Sequence, residues 1–169
     1  DILTWSGTYF DFLNPEQSAI HINDIAVGLS NLCRFNGQCE NFYSVAQHSV
    51  LVSHLVPAEH ALKGLLHDAA EAYIGDVTRP LKRLLPAYRD IEWRVEAAVF
   101  AEFGITSMPA CVKRADLVAL ATEQRDLMAP HDDQWACLQG IEPYRLRIHP
   151  LGPRDARMLF MDRFEELRG

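Results

Sequence analysis

The sequence predicts a mostly α single domain with a small β-hairpin near its N-terminus. Three observations lead there. From about Asn23 onward, apolar residues recur at helical spacing between Pro and Gly punctuation marks. Before that point, short alternating segments flank Asn14-Pro15, a turn signal. Over all 169 residues there is no repeat, no low-complexity stretch and no linker, so residues 1–169 read as one domain with a sizeable core.

Each element follows from local chemistry. Tyr9-Phe10-Asp11-Phe12 and Ala19-Ile20-His21-Ile22 are expected to pair as the hairpin across Asn14-Pro15. Asn23 or Asp24 is expected to cap a short helix running to about Cys33, and the stretch from Arg34 to Phe42, with Asn36-Gly37, reads as a loop. Ser44 caps a helix from about Val45 to Val56, stopped by Pro57. A helix from about Ala58 to Ile74 follows, with Gly75 as its stop. A loop containing Pro80 ends near Pro86, and a long helix runs from about Ala87 to Phe103, closed by Gly104. Pro109 is expected in the first turn of another helix reaching about Met128. Residues 129–144 show no clean period, and Tyr144 to Ile148 reads as extended. Pro153 opens a last amphipathic helix with Ala156, Leu159, Phe160, Phe164 and Leu167 on one stripe.

Composition narrows the function. No apolar run is long enough to span a bilayer, so no membrane partner is expected. A net charge of −7 disfavours a broad duplex nucleic-acid face, because such binding rests on neutralising phosphates. A small phosphorylated ligand stays compatible, since Arg79-Pro80-Leu81-Lys82-Arg83 concentrates positive charge locally. Four scattered cysteines without a C-x-x-C pair, and no leader-like segment, fit a reducing cytoplasm.

The most informative feature is His67-Asp68, set in the otherwise apolar run from Ala61 to Tyr73. Burying an unpaired carboxylate costs several kcal/mol, so a compensating partner is expected there. His48, between Val45-Ala46 and Val50-Leu51, and Asp116, between Ala115 and Leu117, repeat the pattern on separate helices. Two imidazoles and two carboxylates suit Mn, Co, Zn, Fe or Ni, and Mg less well. Glu71 follows His67 by four residues and Asp68 by three, so on one helix the three share a face.

With a spaced upstream His48, the pair His67-Asp68, Ala69-x-Glu71, Gly75-Asp76-x-x-x-Pro80-x-Lys82 and Asp116, the chain resembles the HD-domain phosphohydrolases. Its flanking residues are most similar to the bacterial 5′-deoxynucleotidase branch and related phage nucleotide hydrolases, over roughly residues 23–128. The resemblance implies an HD-type helical bundle with one divalent ion held by His48, His67, Asp68 and Asp116. It implies acid/base carboxyls at Glu71 and Asp76, and substrate contacts from Arg34, Phe35, Lys82 and Arg79. Phe35 stands where the monophosphatases carry a tryptophan against the sugar, a departure that bears on sugar selectivity. The implied reaction is hydrolysis of a deoxynucleoside 5′-monophosphate to nucleoside and phosphate, by a protein that associates as a dimer or larger assembly.

Blander readings compete residue by residue. Asp116 can pair with Arg114, Glu71 can sit on a wet edge, Asp76 can shape the turn after Gly75, and Arg34 can lie on the surface. Phe35 suits the core as well as a substrate wall. At the level of function, one alternative is a dNTP triphosphohydrolase releasing tripolyphosphate, which would lean on Arg79 and Arg83. Another is a noncatalytic nucleotide-binding module, to which Glu71 and Asp76 would be superfluous.

Overall fold

The computed structural model describes residues 1–133 and 135–169, and it is mostly helical with one small antiparallel sheet. Strands β1 (Ile2–Leu3) and β2 (Tyr9–Phe10) pair Ile2 with Phe10 and Leu3 with Tyr9. The hairpin therefore lies one segment earlier than the alternation around Asn14-Pro15 predicts. Residues 15–17 form a 3-10 turn opened by Pro15, so Ala19 to Ile22 has no strand to pair with. Phe10 is fully buried and stacks on Tyr73 at 4.0 Å, which ties the hairpin to the helical body.

Helix α1 (Ile22–Asn31) starts at His21 rather than at Asn23 or Asp24. Asp24 serves elsewhere: its carboxylate accepts from the Ser6 backbone N–H and from the Ser6 hydroxyl, both at 2.8 Å. Helix α2 (Val45–Leu55) begins as expected, with the Ser44 hydroxyl accepting from the Gln47 N–H. The helix expected over 58–74 is broken. A 3-10 turn at Ala58–His60 leads into α3 (Ala61–Leu66), then a tight turn, then α4 (Glu71–Ile74). His67 and Asp68 thus lie in the turn between two short helices and not inside one. Bonds from Ala69 N to Leu66 O and from Glu71 N to Asp68 O, each spanning three residues, mark that tightening.

The Pro80 segment contains a short helix, α5 (Arg79–Lys82), where a loop is expected; Pro80 sits in its first turn, where its missing N–H costs nothing. Helix α6 (Pro86–Glu102) matches its expectation closely. Helix α7 (Ala110–Leu127) does so too, with Pro109 preceding the first turn as its cap. The final helix is α8 (Pro153–Arg168). Tyr144 to Ile148 forms no strand among the described residues. Side chains instead hold its backbone at four points: Thr122 Oγ1 accepts from the Tyr144 N–H, Asp126 accepts from the Ile148 N–H, and Arg125 donates to the Tyr144 and Leu146 carbonyls. Gln47 likewise clamps the stretch before α8 by donating to His149 O and accepting from Leu151 N–H.

The main core gathers Ile25 and Leu29 of α1, Leu65 and Leu66 of α3, Val95 and Val99 of α6, and Phe160 and Phe164 of α8. A second cluster joins Val52, Val56 and Ala61 to Val112, Ala115 and Ala119 of α7. Two glycines set how closely the helices approach. A Cβ on Gly28 would lie 2.8 Å from Ala72 Cβ, so α1 rests directly on α4. A Cβ on Gly64 would meet Ser53 Cα and Val56 Cγ2 at 3.1 Å, so α3 lies close against α2. That second contact brings the turn after α3 up to His48. No helix among the described residues is long and apolar enough to cross a membrane.

Candidate metal centre

His48 projects from the middle of α2 and is fully buried. Its Nδ1 is 2.6 Å from Glu123 Oε1, so with a carboxylate as acceptor Nδ1 carries the proton. Nε2 then points the other way, 3.3 Å from His67 Nε2, 3.4 Å from Asp116 Oδ1 and 3.5 Å from Asp68 Oδ2. His67 repeats the arrangement. Its Nδ1–H donates to the Gly64 carbonyl at 2.8 Å, which leaves its Nε2 facing Asp68 Oδ2 at 3.1 Å. Both imidazoles are therefore held by a bond on Nδ1 and present Nε2 to the same small space, the arrangement that orients metal-binding histidines.

Donor atoms of His48, His67 and Asp116 all lie within 4.8 Å of one another, and this group could hold a metal ion. Asp68 stands outside that compact trio, although its Oδ2 reaches both imidazoles. Asp116 takes Lys113 as its neighbouring cation, at 2.6 Å, and not Arg114.

The chemistry of the donors fits a cation. Ligand atoms about 2.1 Å from one ion lie roughly 3.0 Å apart at a right angle and roughly 3.4 Å apart at a tetrahedral angle. The separations at His48 Nε2 run from 3.3 to 3.5 Å. Two Nε2 lone pairs facing each other repel unless positive charge or a proton stands between them.

The titration of the cluster follows from this crowding. Burial and the Arg34 guanidinium oppose a charged His48, but Glu123 and Asp116 overcome both and raise it to about 9. Burial penalises Asp68, yet His67 and His48 hold it well below the usual carboxylate range. Asp116 is held low in the same way, chiefly by His48. Glu71 goes the opposite way. Burial, followed by the negative charge of Asp68 and Asp76, pushes it well above its ordinary value.

No family model matches the chain. It is 47% identical to the uncharacterized protein YfdR of Escherichia coli (strain K12) over 168 residues, 98% of this chain and 94% of that protein. The chain belongs to the YfdR family. An uncharacterized protein of Rhodobacter capsulatus is 40% identical over 121 residues, 65% of this chain and 62% of its own. Both relatives are uncharacterized, and the chemistry of this YfdR-family site rests on its own geometry.

The surrounding residues divide into those near the cluster and those away from it. Glu71, first residue of α4, is 8% exposed and so is not on a wet helix edge; its Oε2 is buried without a hydrogen-bond partner. Asp76 is half-buried in the turn after α4, and burial raises it, with the Arg34 charge opposing and Asp68 reinforcing the shift. Lys82, on α5, is half-buried, bonded to Glu92 and 3.8 Å from Glu71 Oε1. Arg34 is buried rather than superficial, with Nη1 3.8 Å from Asp68. Phe35 is half-buried in a left-handed backbone conformation (φ 58°), uncommon for a bulky residue, with the Arg34 guanidinium 5.3 Å from its ring centre. Arg79 lies exposed at the start of α5.

Sequence reasoning missed Glu123. It is fully buried on α7, two turns after Asp116, and accepts from Arg34 Nε at 3.2 Å and Nη2 at 3.0 Å as well as from His48. Its signal was available: a carboxylate seven residues after Asp116, hence on the same helical stripe, within the apolar-flanked run Ala119 to Glu123. A cavity of about 600 Å³ opens elsewhere, lined by Gln124, Arg125, His131, Trp135 and Leu138, and shares no residue with the cluster.

Proposed function

We propose that the protein is a metal-dependent phosphohydrolase of the HD-domain type, cleaving the 5′-phosphate ester of a (deoxy)nucleotide to nucleoside and phosphate. The observation that carries this reading is the pair of imidazoles, each tied at Nδ1, whose Nε2 atoms converge with Asp68 and Asp116. A purely structural histidine pair would have no reason to gather two Nε2 atoms and two carboxylates on one small space, where a proton or a cation has to stand between the rings.

His48, His67, Asp68 and Asp116 would hold the ion. A divalent cation there supplies Lewis acidity, polarising a phosphoryl oxygen and making a water easier to deprotonate. The remaining work falls to the chain's own side chains. Glu71 and Asp76 both feel the negative charge of Asp68, and both are shifted upward, which brings a carboxyl closer to proton exchange at neutral pH. They take the proton from the attacking water and supply one to the departing 5′ oxygen. Lys82 Nζ and the Arg34 Nη1 edge offset the charge on the phosphate oxygens. Phe35, fixed beside Arg34, supplies an apolar wall for the sugar or base.

The test is product analysis on chelator-stripped protein reloaded separately with Mn, Co, Zn and Mg, against dNMPs, NMPs and dNTPs. Nucleoside plus phosphate from the monophosphates is the expected result. Nucleoside plus tripolyphosphate would reassign the substrate to dNTPs. No turnover with any metal, beside measurable nucleotide binding, would leave a noncatalytic binding module.

A further inference from the structure

Glu123 is a carboxylate with no exposed surface that bonds two residues 89 and 75 positions before it, and nothing in the reaction above uses it directly. Its two oxygens are divided. Oε2 accepts both Nε–H and Nη2–H of Arg34, while Oε1 accepts from His48 Nδ1. Arg34 comes from the turn before α2, His48 from α2 and Glu123 from α7, so one carboxyl joins three parts of the chain. We propose that Glu123 is a positioning residue coupling the two halves of the site: it fixes the His48 ring with the proton on Nδ1 and Nε2 free for the cation, and in the same arrangement it fixes the Arg34 guanidinium with Nη1 toward the phosphate.

Donors and acceptors decide which side chain can stand here. Arg34 has only donors, and a His48 that binds a cation through Nε2 must carry its proton on Nδ1. Both partners demand an acceptor, and a carboxylate supplies one on each side. An amide cannot, because it offers one oxygen and one NH2. If the oxygen stays with Arg34, the NH2 faces His48 Nδ1 and drives the proton to Nε2, where it blocks the cation. If the oxygen turns to His48, Arg34 loses its buried acceptor and the orientation of Nη1. The same reasoning limits what Arg34 can do: Nε and Nη2 are committed to Glu123, so a bidentate grip on phosphate through that edge is not open to it. The cation and phosphate named here rest on the proposed function; the tautomer of His48 does not.

The experiment compares wild type, Glu123→Gln, Glu123→Asp and Thr122→Val, all stripped with chelator. Thr122→Val is the control for ordinary damage to α7, since it removes a hydroxyl that bonds Val118 O and the Tyr144 N–H away from the cluster. Nitrogen-15 NMR reads which ring nitrogen of His48 keeps its proton in the neutral form, and cobalt(II) titration reads cation affinity. In E123Q the His48 proton moves to Nε2 or divides between the nitrogens, and cobalt binds about 10- to 100-fold more weakly. Thr122→Val melts earlier but binds cobalt as wild type does. Glu123→Asp keeps two acceptor oxygens and retains the Nδ1 proton, and it carries the test if E123Q does not fold. An unchanged His48 proton and cobalt affinity in E123Q would overturn the proposal, as would loss of the Nδ1 proton in a folded E123D. If wild type binds no cobalt, the metal reading fails, and the NMR comparison still decides the role of Glu123.

Discussion

The close approach of α1 to α4 at Gly28 gives a quantitative prediction. Gly28 lies inside α1, where alanine would ordinarily raise helix propensity by up to about 1 kcal/mol. Here the added Cβ would lie 2.8 Å from Ala72 Cβ, 2.9 Å from Ala72 O and 3.0 Å from Ala72 Cα. Carbon atoms settle at about 3.5–4.0 Å, so α1 and α4 must part by roughly 0.7–1.2 Å. Overpacking of that kind costs about 1–3 kcal/mol. Two of the three contacts are with backbone, which cannot swing aside. Allowing for the propensity gain, Gly28→Ala should destabilise by up to about 2 kcal/mol, or lower the melting temperature by up to about 8 °C for a chain of this size. Gly64→Ala, with nearest contacts of 3.1 Å, should cost less. Because Ala72 directly follows Glu71, parting α1 from α4 also displaces that carboxyl, and a 1 Å misplacement can cost about 100-fold in turnover. Thermal and urea unfolding of both variants tests the packing. A Gly28→Ala protein that gains the full helix-propensity increment of about 1 kcal/mol would refute the close approach of α1 to α4.

Three further outcomes follow from the same structure. Adding Mn, Co or Zn at about 100 times its dissociation constant should stabilise the folded protein by about 2.7 kcal/mol, visible as a rise in melting temperature that EDTA reverses; Asp68→Asn should show a much smaller rise, and an equal rise in both would place the ion elsewhere. Glu71, raised above its usual 4.5 by burial, keeps its proton in the folded protein at pH values where the unfolded chain has lost it. Its contribution to stability therefore falls as pH rises from that value toward its folded one. In chelator-stripped protein, Glu71→Gln should accordingly gain on wild type between about pH 4 and neutrality, and a difference that shrinks over that range would contradict the shift. Arg34→Lys keeps the charge but gives up the fork that bonds Glu123 through Nε and Nη2, so urea unfolding should report a loss of about 1–3 kcal/mol. Unchanged stability there would mean the buried pair is not a structural tie.

The long periodic helices α2, α6, α7 and α8 were legible because caps and stops bound them: Ser44, Pro86, Pro109, Gly104 and Pro153. The hairpin was misplaced because strands of two residues are too short for alternation to stand out from chance, while Asn14-Pro15 advertises a turn that leads only into a 3-10 segment. The interruption at His67–Ala70 was invisible for a different reason. Ala69, Ala70 and Glu71 are good helix formers, and what tightens the chain there is tertiary: the close approaches at Gly64 and Gly28 on either side of the turn. Of the candidate site residues, His48, His67, Asp68, Asp116 and Arg34 come together around one small volume, Glu71 and Lys82 lie 3.8 Å from each other, and Arg79 stays in solvent. Glu123 escaped notice because a Glu on a charged helix reads as solvated until Arg34 and His48 are seen to converge on it.

The most direct test of the central claim is cobalt(II) titration of chelator-stripped protein, with deoxynucleoside release from a dNMP followed in the same samples. Wild type should bind one tight equivalent, Asp68→Ala and His67→Ala should show no tight binding, and product release should rise in step with the metal bound. Tight binding that survives both substitutions, or dNMP hydrolysis that continues undiminished in EDTA, would contradict the claim.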